Sequence, residues 1–323
     1  MAESGIVSAP LRWGILGPGR IARQWVEGLR DTSDRLIAVG SRDRDVARRA
    51  ADEFGADRSG SYDDVLADPD VEAVYISLPN SMHAEWTVRA AQAGKHILCE
   101  KPLAPTPAEC ERVVAAGASR GVHLVEAFMY RYHPRWQAVW RAIEADRIGP
   151  IRLLRAMFGY SMGADRSTDI RLNPTLAGGA IQDVGCYCVN VARWFLGEPD
   201  DVRGFALDRR DAGVDTHSAA VTRHGDAMAE LACTFDGPMG QAVEIVGERG
   251  RIDIPIAFVV RGEAKLTITD QRGEDREVFP AMNQYGLEIQ AFHALVRADA
   301  PSLTPGSDAI ATQRVIAAWQ ANQ

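Results

Sequence analysis

Gly17-Pro18-Gly19-Arg20-Ile21-Ala22 decides how this chain is read. It follows an apolar run at 11–16 and opens a helical pattern at 21–29. Strand, glycine turn and helix in that order form the first half of a βαβ unit, and each position in the G-x-G-x-x-A spacing has a physical task. Gly17 permits the tight turn, Gly19 lets a pyrophosphate approach the backbone, and Ala22 lets the helix pack close to the strand. Around Arg20 and Ile21 the free N–H groups of the first helical turn face the anion. A glycine turn with no ligand is the competing reading. Its place inside a βαβ unit favours dinucleotide binding.

The alternation continues on either side of later turns. Strand-like runs at 36–39, 73–77, 96–99 and 122–125 interleave with helical patterns at 46–54, 84–93 and 107–119. Gly55 and Gly94 stand where helices stop, and Thr106-Pro107 reads as a cap followed by proline at the first helical position. Repeated βαβ predicts a doubly wound parallel sheet with helices on both faces, an α/β Rossmann domain over residues 1–125. Beyond residue 150 the pattern changes to strand-like stretches at 151–160, 218–224, 228–235, 241–246 and 251–254, with helical patterns at 182–196, 288–298 and 309–319. Asp236-Gly237-Pro238 and Glu248-Arg249-Gly250 read as turns, and strands joined by short turns are expected to be antiparallel neighbours. Residues 126–323 are thus expected to form an α+β domain that binds substrate, with a cleft where it meets the first.

Composition narrows the partners. Of 323 residues, 46 % are hydrophobic and 25 % charged, and 36 basic against 44 acidic side chains leave a net charge of −8. The charges are interspersed, so there is no basic stripe for nucleic acid or an anionic membrane. No leader pattern opens the chain and no run of 18 apolar residues follows, which makes the cytoplasm the expected compartment. Five scattered cysteines with no C-x-x-C pair and seven histidines without ligand spacing suggest neither a disulfide framework nor a metal.

At the end of the second strand, Val39-Gly40-Ser41-Arg42 lacks the acidic residue that grips the ribose of NAD. Arg42 can pair with the 2′-phosphate of NADP and Ser41 can add a hydrogen bond, whereas an acidic residue there would repel that phosphate. NADP is the expected cofactor. The alternative makes Arg42 a solvated arginine and leaves Asp43 to serve NAD.

Two further segments, Glu100-Lys101-Pro102 and Gly178-Gly179-Ala180-Ile181-Gln182-Asp183-Val184-Gly185-Cys186-Tyr187, stand with Pro79-Asn80-Ser81-Met82-His83 and the run 126–134, EAFMYRYHP. With this set the chain resembles the glucose-fructose oxidoreductase, inositol dehydrogenase and rhizopine-catabolism (Gfo/Idh/MocA) family over nearly its whole length. The resemblance is strongest to the branch of dimeric dihydrodiol dehydrogenases and NADP-dependent xylose dehydrogenases, because Tyr187 stands where inositol dehydrogenases carry histidine. It implies a Rossmann domain followed by a domain with a largely antiparallel open sheet, often used for oligomerisation, so a homo-oligomer, first a dimer, is expected. It also implies hydride transfer between nicotinamide and a substrate carbinol, with Lys101 as the active-site lysine, Pro102 shaping its loop, and Asn80 and His83 lining the nicotinamide end of the cleft.

The chemistry is arguable from the residues themselves. Oxidising an alcohol requires a hydride acceptor and a group that takes the hydroxyl proton, which Tyr187 can do if its pKa of about 10 is lowered. Lys101, at the carboxyl end of a parallel strand, is expected to lower it and to bond the substrate oxygen. Asp183 and Tyr187, spaced i, i+4 at a helix start, share a face, and Asp183 is expected to orient the pair or the substrate. The plainer readings are a first-turn aspartate, a core tyrosine and a surface lysine. Glu100 is expected to support rather than catalyse, His83 competes with a reading as a helix-start surface residue, and His133 helps the chain turn into its second half. Arg131, Arg155 and Arg171 are open between substrate contact and surface. The expected activity is NADP-dependent hydride transfer at the hydroxyl of a sugar (aldose) or cyclic trans-diol, with NAD possible. An NAD-dependent glycoside hydrolase of the same fold and a non-catalytic sensor are the alternatives.

Overall fold

A computed structural model describes residues 9–163 and 168–321; residues 1–8, which carry most of the stretch read for a leader, lie outside the described residues. The chain opens with β1 (Arg12–Leu16), α1 (Arg20–Leu29), β2 (Arg35–Gly40), α2 (Arg44–Phe54), β3 (Arg58–Gly60) and α3 (Tyr62–Ala67). It continues with β4 (Ala73–Ile76), α4 (Asn80–Gln92), β5 (His96–Glu100), α5 (Pro107–Arg120) and β6 (Leu124–Ala127). The six strands pair in parallel in the order β3-β2-β1-β4-β5-β6, the doubly wound α/β Rossmann arrangement. Strand order reverses between β1 and β4, so a crevice opens at their carboxyl ends. Caps set the helices: Thr106 accepts the Glu109 N–H ahead of Pro107, and Ser61 with Asp64 forms a capping box that starts α3. Hydropathy gives no signal for the short β3 and α3.

The second half contains α6 (Pro134–Glu144), β7 (Ile151–Ser161), α7 (Cys186–Leu196), β8 (Asp201–Leu207), β9 (His217–His224), β10 (Ala227–Thr234) and β11 (Asp236–Gly247). Then come β12 (Arg251–Pro255), β13 (Ala264–Asp270), β14 (Gly273–Phe279), α8 (Gln284–Ala298) and α9 (Asp308–Ala321). Its eight strands run β14-β13-β12-β11-β7-β10-β9-β8, antiparallel throughout except between β7 and β10. Here the structure corrects one expectation. Asp236-Gly237-Pro238 is not a turn between neighbouring antiparallel strands, because β10 and β11 lie on opposite sides of β7. The chain passes the end of β7 through Phe235, which is wholly buried and whose carbonyl accepts the Met162 N–H at 3.0 Å. β7 comes from far earlier in the sequence, so no local pattern announces that it takes the middle place.

Other elements are also silent in the hydropathy. β14 is charged and exposed along most of its length, as suits an edge strand. α6 starts at Pro134 behind an unusual cap, the His133 side chain, which accepts the Arg135 N–H at 3.1 Å. One face of the second sheet is covered by α7 and α9 and holds the core of Val189, Val191, Ile316 and Trp319. α8 instead packs on the first sheet, where Ile289 and Phe292 join Trp13 and Trp25. Among the described residues no helix is long and apolar enough to cross a membrane.

Candidate active site

The glycine turn leaves β1 with Gly17 at φ +95°, a left-handed conformation in which a Cβ would also lie 2.8 Å from Leu78 Cδ2. Its N–H donates to the Gly40 carbonyl at 3.1 Å, and the Ser77 hydroxyl donates to its carbonyl at 2.7 Å, so the turn is tied to β2 and β4. Gly19 precedes α1 with no side-chain cap, and a Cβ built on it meets nothing within 4 Å. The first amides of α1, beginning at exposed Arg20 and half-buried Ile21, have no side-chain cap and no acidic residue in their turn. That cradle fits the diphosphate of a dinucleotide.

At the tip of β2, Ser41 is buried and its hydroxyl accepts the Asp43 N–H at 3.3 Å. Arg42 is exposed and, among the described residues, has no carboxylate partner. Asp43 uses Oδ1 to cap α2, accepting from the Asp45 and Val46 amides at 2.8 and 3.1 Å, and those bonds hold its carboxyl below the usual range.

Lys101 follows β5. Its ammonium donates to the Asp183 carbonyl at 2.6 Å and to Asp183 Oδ1 at 3.0 Å. Asp183 sits in a π-helical turn (Ile181–Gly185), so the single α-helix expected over 182–196 begins as π and becomes α only at Cys186. Such turns widen a helix locally and occur often at functional sites. The second carboxylate oxygen accepts from the Tyr160 hydroxyl at 2.8 Å and Arg171 Nε at 3.0 Å. Burial opposes the Asp183 charge, but Lys101 and Arg171 outweigh it and hold the carboxyl well below its ordinary value. Burial likewise works against the Lys101 charge, and Asp183 with Cys186 and Glu100 reverses the balance, so the ammonium is held more firmly than in water.

Tyr187 is 4 % exposed, with Lys101 Nζ 5.0 Å from its ring centroid and its hydroxyl donating to Met129 Sδ at 3.6 Å. Rings of Phe128, Phe158 and Phe258 surround it. The expected lowering of its pKa does not occur: burial, then Glu100, raises it well above the ordinary phenol value. Two N–H groups of the lysine are directed to Asp183 and not to the phenol oxygen.

The flanking residues take other places. Glu100 is buried and accepts from the Tyr75 hydroxyl at 2.5 Å, and burial raises its carboxyl. His83 is not a surface residue. It is buried, with Nδ1 2.7 Å from the Pro102 carbonyl of the Lys101 loop and Nε2 2.8 Å from that of Leu78; burial lowers its pKa, so the neutral ring donates to one of the two carbonyls, and neither nitrogen faces a nucleotide. Asn80 donates to the Ala177 carbonyl at 2.9 Å, tying the start of α4 to the segment that precedes Asp183. Arg131 is buried over the Trp194 ring, Arg155 is exposed between Glu230 and Glu244, and only Arg171 of the three reaches the centre. Tyr160 and Tyr75 carry no sequence signal, and Glu126 stands in the run 126–134 without a role assigned to it. Glu126 accepts the Leu103 N–H at 2.8 Å behind the lysine loop, and burial pushes its carboxyl up to about 7.

Residues 11–128 match the oxidoreductase family with an NAD-binding Rossmann fold, and residues 136–253 match the Gfo/Idh/MocA C-terminal domain. The D-xylose 1-dehydrogenase (NADP(+)) 2 of Haloferax volcanii is 36 % identical over 311 residues, covering 95 % of each chain. A trans-1,2-dihydrobenzene-1,2-diol dehydrogenase of Mus musculus is 32 % identical over 267 residues, 79 % of each. The crystal structure of a 3-ketoreductase from Actinomadura kijaniata in complex with NADP and TDP-benzene superposes with a TM-score of 0.89 at 30 % identity, covering 97 % of this chain and 98 % of that one. A nucleotide turn at the sheet's switch point, a lysine after the fifth strand and matches across both halves leave one assignment: the chain belongs to the Gfo/Idh/MocA oxidoreductase family.

Proposed function

We propose that the protein is an NADP-dependent oxidoreductase that moves a hydride between the nicotinamide and a carbinol of an aldose or a cyclic trans-diol. The observation that carries this reading is the part-buried Lys101–Asp183 pair at the carboxyl end of the sheet that also presents the nucleotide cradle. The named activities of the relatives, an NADP(+) xylose dehydrogenase and a trans-diol dehydrogenase, support the substrate class. Gly17, Gly19, Arg20 and Ile21 would hold the diphosphate, and Ser41 and Arg42 the 2′-phosphate. Asn80, Glu100 and the His83-braced loop would shape the nicotinamide end.

Bound NADP supplies the hydride acceptor or, when reduced, the donor. Lys101 has three N–H groups, two of which Asp183 engages, so one remains for the substrate oxygen. Tyr187 keeps its proton. Both groups are therefore set to stabilise an oxygen that gains negative charge, as in carbonyl reduction. In the oxidative direction one of them first releases its proton. A screen of aldoses, polyols and trans-diols with NADP and NAD, followed at the absorbance of the reduced cofactor, tests the reading. Glycoside cleavage with no net cofactor reduction would replace it.

The second sheet supports a dimer. Its uncovered face carries Phe205, Leu207, Val221, Met228 and Met157, 44 to 75 % exposed, around Arg155 clasped by Glu230 and Glu244 at 2.8 and 2.9 Å. An apolar face of this kind is covered most economically by a second copy. Light scattering is expected to show twice the chain mass, and Phe205→Glu to reduce it to that of one chain. The five cysteines are free and buried, as suits a reducing compartment, and the cytoplasm is the location we propose.

A further inference from the structure

Asp183 receives more donors than orienting one lysine requires. Lys101 occupies Oδ1 and the main-chain carbonyl, while Tyr160 and Arg171 share Oδ2. Arg171 arrives from a one-turn 3-10 segment (Ile170–Leu172) that the sequence does not distinguish from surface. Its backbone lies against the glycine pair leading into the π turn: the Arg171 carbonyl accepts the Gly179 N–H at 2.8 Å, and a Cβ on Gly178 would lie 2.3 Å from that oxygen. Gly178 thus permits the approach that delivers the guanidinium to Asp183.

We infer that Arg171 is a positioning residue for Lys101, taking up the second oxygen of Asp183 so that this carboxylate directs the ammonium without cancelling its charge. The inference rests on the oxidoreductase reading above. A carboxylate facing Lys101 alone would make a neutral pair with little field left for a developing alkoxide. Flanked by cations on both oxygens, it fixes the direction of the ammonium while its own charge is divided between Lys101 and Arg171, with Asp169 as the second partner of Arg171. Tyr160 adds a neutral donor to the same oxygen and stiffens the geometry. The other titratable groups facing this cluster are Asp169, which accepts from Arg171 NH1 at 3.2 Å, and Glu100, Cys186, Tyr187, Glu126 and His83 around Lys101. Removing the Arg171 cation leaves Asp183 to act on Lys101 undivided, so the lysine proton is held more tightly.

The test compares Arg171→Gln with Arg171→Lys. The chain has only three lysines, Lys95, Lys101 and Lys265, so a lysine-labelled sample gives an NMR titration of Lys101 that is assignable by its absence in Lys101→Met. Arg171→Gln is expected to move that titration, and the ascending limb of the oxidation rate, to higher pH. It should lower kcat about tenfold or more while NADPH affinity, read by fluorescence, stays within about twofold. Arg171→Lys, which keeps the charge, should return the titration and the ascending limb toward wild type. An unchanged titration in Arg171→Gln overturns the inference, as does an equal loss in both variants with an unmoved ascending limb. A fall in NADPH affinity that matches the fall in kcat also overturns it. A wild-type protein without NADP-linked turnover refutes the proposed activity instead, and the lysine titration still judges Arg171.

Discussion

The nucleotide turn and the Lys101–Asp183 centre stand at the same edge of one sheet, and they are built in opposite ways. The turn is made from six consecutive residues whose working parts are backbone amides, and two tethers to β2 and β4 hold it. The centre joins side chains 82 positions apart and is surrounded by groups from β7, the π turn and a 3-10 segment. A backbone device tolerates side-chain change as long as the glycines remain. A side-chain device fails when one member is lost, because the others are left buried without their partner.

The contrast is broken most severely at the lysine. Lys101→Met is expected to lower kcat/KM by about 10² to 10⁴ and leave NADPH binding nearly intact; turnover near wild type would remove Lys101 from the chemistry. Tyr187→Phe keeps the ring among Phe128, Phe158 and Phe258 and removes only the hydroxyl. A loss of about 10² with an unchanged thermal midpoint is expected, and retained activity would assign the proton to another group or to water.

The turn side of the comparison is sharpened at Arg42. Arg42→Ala removes a charge-assisted bond of about 1.5 to 3 kcal/mol, so NADPH should bind roughly 10 to 150-fold more weakly while NADH is unaffected. Equal losses for both cofactors in a fluorescence titration would return Arg42 to the solvated surface.

The pH profile separates directions within the centre. Lys101 and Tyr187 both have raised pKa values, so carbonyl reduction should hold level through neutrality and decline at alkaline pH. Oxidation should rise by at most about tenfold per pH unit across the same range, since it requires the deprotonated form of one group. An oxidation rate that peaks in mildly acidic solution would contradict these protonation states.

The smallest expected effect concerns Asp43, the rival for the ribose contact. As the cap of α2, its replacement by alanine should cost about 0.5 to 2 kcal/mol of stability in a denaturant titration, with NADH affinity unchanged. A selective loss of NADH binding would restore Asp43 as a ligand.

Local rules make the first sheet legible, because each βα unit states its own strand, turn and helix within about 25 residues. They fail where distant chain segments intervene. Asp236-Gly237-Pro238 has turn composition, yet β7 lies between the strands it joins and draws it into β11. α8 belongs to the second half by position and to the first sheet by packing.

Consecutive residues account for the parallel sheet, the nucleotide turn, the basic end of β2 and the choice of Lys101, Asp183 and Tyr187 as the centre's candidates. Which of these meet, and in what charge state, depends on how distant segments pack. That packing places Arg171 and Tyr160 on Asp183, turns His83 inward, and leaves the Tyr187 phenol protonated. The reason is physical. Backbone turns depend on local dihedral freedom, whereas a pKa depends on burial and on charges brought near by distant parts of the chain.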